Sequence, residues 1–153
     1  MSILALDLGS RLGWAMGYGP SDVQHGVVEF RAGRHEGGGM QWLRFKRWLN
    51  EMHEQHGPVD AVYFESVAAH KGTAAAHIFG GFLATLTAWC EAREIPYQGV
   101  PVGTIKRHAT GKGNANKEAM IAAVRAKGFA PTDDNDADAI ALLMYVMDER
   151  RAA

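Results

Sequence analysis

An acid set inside an apolar run near the start constrains this chain more than any other feature. Ser2-Ile-Leu-Ala-Leu-Asp-Leu-Gly-Ser10 carries Ile3, Leu4, Ala5, Leu6 and Leu8 with little alternation, the pattern of a strand covered on both faces. A carboxylate there, Asp7, is costly unless it is paired or bound to a metal. A second stretch far along the chain, Asp133-Asp-Asn-Asp-Ala-Asp-Ala-Ile-Ala141, supplies several more acids. Glu65 ends another apolar run, Ala61-Val-Tyr-Phe-Glu65. These separated acids are expected to meet around divalent metal ions.

The 153 residues are read as one domain, 1–153, large enough for a core without disulfide staples. No apolar run is expected to span a membrane, and the N-terminus lacks the basic start and cleavage site of a signal peptide. The single cysteine, Cys90, cannot form an internal disulfide, which fits a reducing cytoplasm. Net charge is only −1, but its distribution is uneven. From Pro101 to Ala130 six cations face one acid, a net +5, and from Pro131 to Arg150 six acids face one cation, a net −5. A basic segment beside an acidic one suits a phosphate-binding surface next to a metal site; a mixed, solvated surface is the competing account.

Taken in order, Gly9-Ser-Arg-Leu-Gly13 reads as a tight turn after the first strand. Trp14–Tyr18 and Val23–Phe30 read as two more strands joined at Gly19-Pro20-Ser21, an antiparallel meander. Arg31 to Gly39 is a loop. Met40 to His56 is helical by period, with Trp42, Phe45, Leu49 and Met52 on one face, and Gly57-Pro58 ends it. After the strand ending at Glu65, a helix runs from Thr73, its expected cap, to about Arg93, with Ile78, Phe82, Leu86 and Trp89 inward. Pro96–Val102 is a fifth strand. A short helix over Thr104–Ala109, a glycine-asparagine loop over Thr110–Asn116 and a helix from Lys117 to about Lys127 follow. Thr132 or Asp133 caps a last helix that is apolar almost all round from Ala137 to Met147, and is therefore buried. The succession predicts an α/β chain of ribonuclease H-like fold: a five-stranded mixed sheet with three antiparallel N-terminal strands and flanking helices.

Carboxylates from separate elements are what two magnesium or manganese ions need, since both take oxygen ligands. Asp7 is placed to bridge them and Glu65 to hold one. On the last helix Asp134, Asn135 and Asp138 share a face, and Asp136 points away from it. Asp133, Asp134 and Asp136 also suit a helix start, where acids favour the dipole and cap free amides. Asp138, a turn further in, is not explained that way. Lys106 and Lys117 can contact phosphate, as can the backbone amides of Gly111 and Gly113. Lys117 is the more telling of the two, because a lysine at a helix start opposes the dipole. Arg107 and Lys112 lie in the same basic segment; His70 and Lys71, in the loop after Glu65, are further candidates for touching DNA. The histidines have no convincing metal-ligand spacing.

With those residues in view, the sequence resembles the RuvC family of Holliday-junction resolvases, in the style of its phage and prophage members. The matching segments are Leu4-Ala-Leu-Asp-Leu-Gly9, Val62-Tyr-Phe-Glu-Ser66, the basic stretch Ile105 to Glu118, and Asp136-Ala-Asp-Ala-Ile-Ala-Leu142. The resemblance implies a homodimeric, magnesium-dependent endonuclease that nicks two opposed strands of a four-way junction in a bacterial or phage-infected cell. It implies Asp7, Glu65 and Asp138 as metal ligands and Lys106 and Lys117 as functional lysines, Lys117 within the catalytic set. Two departures stand out. The family's fourth ligand falls on Asn135, so that Asn135 or Asp134 takes that place. An aromatic that some members carry just after the glutamate is replaced by Ala68-Ala69, which points to general branched DNA rather than a strict cleavage sequence. Three other readings compete: a non-cleaving module that binds branched DNA, a ribonuclease H-like nuclease acting on RNA, and an actin-like phosphotransferase. The last is suggested by Asp7-Leu-Gly9 but needs two such domains around a nucleotide.

Overall fold

A computed structural model describes residues 1–153. Its centre is a five-stranded sheet in the order β3-β2-β1-β4-β5. The strands are β1 (Ile3–Asp7), β2 (Arg11–Gly19), β3 (Asp22–Glu29), β4 (Ala61–Ser66) and β5 (Tyr97–Pro101). β1, β2 and β3 form the antiparallel meander; β4 and β5 add in parallel on the other side of β1. The helices are α1 (Gly39–Glu51), continued by a π-helical turn at Met52–His56, α2 (Thr73–Ala92), α3 (Val102–Thr110), α4 (Lys117–Ala126) and α5 (Asp134–Ala152). This is the ribonuclease H-like architecture expected from the sequence.

The sheet is covered on both faces, which is why β1 has almost no polar position. Leu4, Leu6 and Leu8 pack with Phe45 and Leu49 of α1 and Phe82, Leu86 and Trp89 of α2. Ile3 and Ala5, pointing the other way, pack with α3, α4 and α5. Alternation along the strand then puts Asp7 on the α5 face, one step beyond Ala5. α5 is buried from Asp136 through Met144 apart from the half-buried Asp138, and again at Val146 and Met147, as its all-round apolar composition requires.

Local differences from the sequence reading have local causes. β2 starts at Arg11, so the turn after β1 shrinks to Gly9-Ser10; Arg11 and Leu12 pair with Glu29 and Val28 of β3 instead of turning. Thr73 is not a cap. It is the first helical residue of α2, and the cap position belongs to Gly72, whose φ of 112° a side chain would resist. Of the two candidates for α5, Asp133 is the cap, in a reciprocal capping box with Asp136. α2 is long and apolar enough to cross a membrane by length and composition, contrary to the expectation that no segment would be. Its Phe82, Leu86, Trp89 and Cys90 lie in the core, while Ala74, Ala75, Gly80, Ala84 and Ala88 remain exposed.

Candidate metal centre

β1 and β4 are parallel neighbours with Leu6 opposite Phe64, so Asp7 and Glu65 leave adjacent strands side by side on one face. Both stand at the carboxyl ends of their strands, where open sheets with parallel strands collect ligands. α5 crosses above them and lowers Asp138 from its second turn. The carboxylate oxygens of Asp7, Glu65 and Asp138 lie within 4.8 Å of one another.

Three acids this close, half withdrawn from water, resist ionising together. Burial, then the charges of Glu65 and Asp138, push the Asp7 carboxyl well above its ordinary range, and a hydrogen bond with Glu65 adds to this. Burial raises Glu65 as well, opposed by its hydrogen bond with Asp7 and by the charge of Lys106. Asp138 is pushed up to about 7 by burial and by the charges of Glu65 and Asp134, against the pull of Lys106 and Lys117. A cluster of hard oxygen donors whose negative charge is under-compensated fits a divalent cation of the magnesium or manganese kind.

Lys117 Nζ lies 3.6 Å from Asp134 with most of its side chain in water. Lys106, half-buried on α3, acts on both Glu65 and Asp138. The two lysines therefore reach the same centre from separate helices. Arg107 and Lys112 are exposed nearby, and the Arg107 guanidinium lies against Gly113, bracing the glycine-asparagine loop. That loop hands over to α4 through Asn116, whose side chain accepts from the Ala119 N–H at 2.8 Å. On the other side of the centre, the His70 ring packs on Phe79 with centroids 4.9 Å apart, and Lys71 is exposed. Both rings line an open groove with Leu8, Gly9, Val67 and Ile78, which begins where β1 ends.

The two candidates for a fourth ligand differ in surroundings. Asp134 contributes charge to Asp7 and Asp138. Asn135 donates from its side-chain amide to Asp133 at 3.3 Å, and its backbone carbonyl lies against Gly13. Asp136 does point away from the cluster, as its helical position required, and is fully buried. Sequence reasoning did not find what it points to: His25, 111 residues away in β3. It also assigned Arg11 and Gly13 to a turn, although both face the start of α5 from β2. The one available signal was the place of Asp136 on the helix face turned away from Asp138.

No protein-family model matches the sequence, and no curated protein matches it. Among solved structures, Thermus thermophilus RuvC in complex with a Holliday junction substrate superposes with a TM-score of 0.76 at 20% identity, covering 99% of this chain and 96% of that one. A second structure of Thermus thermophilus RuvC gives 0.75 at 21% identity, covering 99% and 97%. The yeast mitochondrial Holliday junction resolvase Ydc2 gives 0.65 at 14% identity, covering 95% of this chain and 77% of that one. At these identities the likeness establishes a shared ribonuclease H-like fold.

Proposed function

We propose that this chain is a magnesium-dependent endonuclease that resolves Holliday junctions and other branched DNA by paired nicks. The observation that carries the reading is the convergence of Asp7, Glu65 and Asp138 beneath two lysines from separate helices. The likeness to RuvC, solved with a Holliday junction, supports the substrate class.

Held by these carboxylates, a pair of magnesium ions, or manganese in their place, would supply the positive charge that makes water a nucleophile at neutral pH and would stabilise the leaving oxygen. Asp7, Glu65 and Asp138 would be the residues that hold them. Asp134, whose charge reaches Asp7 and Asp138, or Asn135 would complete the set. Lys106 and Lys117 hold the phosphate against the carboxylate cluster and offset its negative charge. Arg107, Lys112 and the amides of the glycine-asparagine loop track the flanking backbone, and His70 and Lys71 contact the strand on the opposite side. Attack in line leaves 5′-phosphate and 3′-hydroxyl ends.

One cluster cuts one strand, so paired nicks require two copies related by a two-fold axis. The open, small-residue face of α2 is the seam for that homodimer. A Cβ at Gly80 would meet nothing within 4 Å, so Gly80→Arg fits the monomer and obstructs the seam. Light scattering is expected to find wild type dimeric and Gly80→Arg monomeric; a dimeric variant would move the seam elsewhere.

The test of the activity compares a four-way junction, a linear duplex and an RNA–DNA hybrid, each with and without magnesium. Junction nicking that needs magnesium is expected. Preferential cutting of the hybrid would transfer the reading to an RNA substrate. Asn135, standing where an acid would strengthen the metal set, favours one second reading, a module that binds branched DNA without cutting it. Junction binding with no nicking at any magnesium or manganese concentration would select it.

A further inference from the structure

Asp136 is a fully buried acid with no part in the carboxylate cluster, and it is saturated with donors. Its Oδ2 accepts from His25 Nδ1 at 2.9 Å and from the Thr132 N–H at 2.9 Å. Its Oδ1 accepts from the Asp133 N–H at 3.0 Å. Because the carboxylate only accepts here, the imidazole nitrogen facing it carries the hydrogen. The two backbone donors belong to the turn entering α5, whereas His25 comes from β3, the edge strand of the sheet. His25 is itself held edge-on by Phe129, with ring centroids 6.4 Å apart.

Two further contacts seat the same turn on β2. Arg11 Nε donates to Asp133 Oδ2 at 2.7 Å, tying the cap of α5 to the start of that strand. Gly13, paired with Asp7 across β1 and β2, lies beneath Asn135 so closely that a Cβ would stand 2.0 Å from the Asn135 carbonyl oxygen. The helix start thus rests on the strand pair that presents Asp7. Asp136 and Asp138 are two residues apart, about 200° around the helix. A side chain fixed on one flank of α5 sets the rotation at which the other flank meets Asp7 and Glu65.

The geometry points to His25 as a positioning residue of the metal centre, acting through Asp136: together with the bare surface of Gly13 it fixes the height and rotation of the first turns of α5, and so the place of Asp138. This rests on the reading of Asp7, Glu65 and Asp138 as a metal site. Removing the imidazole leaves a buried carboxylate short of a donor, which favours a shift of the helix start toward water. Partners one step removed from a metal ligand typically change metal affinity by roughly 10–100-fold.

The experiment measures manganese binding to the full chain by calorimetry, alongside circular dichroism and junction affinity in EDTA. His25→Leu keeps the packing on Phe129 without a donor, and His25→Asn puts an amide nitrogen near the place of Nδ1. The expected result is a manganese affinity reduced by roughly 10–100-fold in His25→Leu and largely restored in His25→Asn, with junction affinity in EDTA unchanged in both. The magnesium concentration for half-maximal nicking is expected to rise in the leucine variant alone. Gly13→Ala, acting from the strand side, is expected to weaken manganese binding likewise, and carries the test should the leucine variant not fold. Wild-type manganese affinity in a folded His25→Leu or Gly13→Ala protein, or equal losses in His25→Leu and His25→Asn, overturns the inference and leaves the metal reading intact. A wild-type protein that takes up no manganese overturns the metal reading, and the inference with it.

Discussion

Asp7→Asn keeps the shape of the side chain and removes a charge from a place where three acids crowd. A junction should bind the variant as it binds wild type, measured by gel shift in EDTA, and remain uncut in magnesium. Wild-type nicking by the variant would remove Asp7 from the chemistry. Lys117→Ala is expected to slow cleavage and leave the fold intact, because the lysine is mostly in water and its one ion pair is the 3.6 Å contact with Asp134; an unchanged single-turnover rate would return it to the solvated surface. Asp7 and Asp138 were legible because each breaks a pattern, an acid in a covered strand and an acid a turn too deep for a cap; Glu65 alone reads as an ordinary strand-end acid and gains its meaning from the other two. His25 and Arg11 break none. Each is an ordinary polar residue in a strand next to solvent, and its meaning comes from a partner more than 100 residues away.

Helices and strands were legible where periodicity was long, and misjudged where a single junction residue decided the boundary. Arg11 and Leu12 extend β2 because β3 offers partners, and nothing local announces that. The sequence narrows the α5 start to Thr132 or Asp133, both able to cap, and the contacts with Asp136 and Arg11 decide for Asp133. Asp133→Ala removes acceptors for the N–H groups of Asn135 and Asp136 and a partner for Arg11. It should lower stability by about 1–2 kcal/mol in urea unfolding; no change would mean that Asp136 and His25 alone secure the turn. α1 and α2 meet where Gly81 lies under Trp42, with a hypothetical Cβ 2.3 Å from the ring. Gly81→Ala should therefore cost about 1–3 kcal/mol by overpacking, despite alanine's better helix propensity. A stabilised variant would show that the ring can move aside.

Across the molecule the acid cluster makes stability depend on pH in a direction opposite to that of ordinary ion pairs. Asp7 and Asp138 hold protons that the unfolded chain has already released, Asp138 up to about 7. Where the folded state binds more protons, stability falls as pH rises. Metal-free protein should thus melt at a higher temperature near pH 5 than near pH 8. The carboxyls held below their usual range, Asp133 and Asp148 through their basic partners, lose their contribution only in acid and leave this window unaffected. Magnesium should raise the melting temperature most at the alkaline end, since cations bind the ionised form. Scanning calorimetry in EDTA and in magnesium would check both slopes. A flat metal-free profile would mean that the three acids are separately solvated.

The pairing of β1 with β4 has a consequence for assembly. A β4 docked one residue out of step would set Phe64 beside Asp7 and turn Glu65 toward α1 and α2, since alternate residues face opposite sides of a sheet. Such a chain could still collapse around its leucines, yet its three acids would no longer converge. On the proposed metal reading, the fraction of molecules able to take up metal doubles as a census of correctly threaded chains.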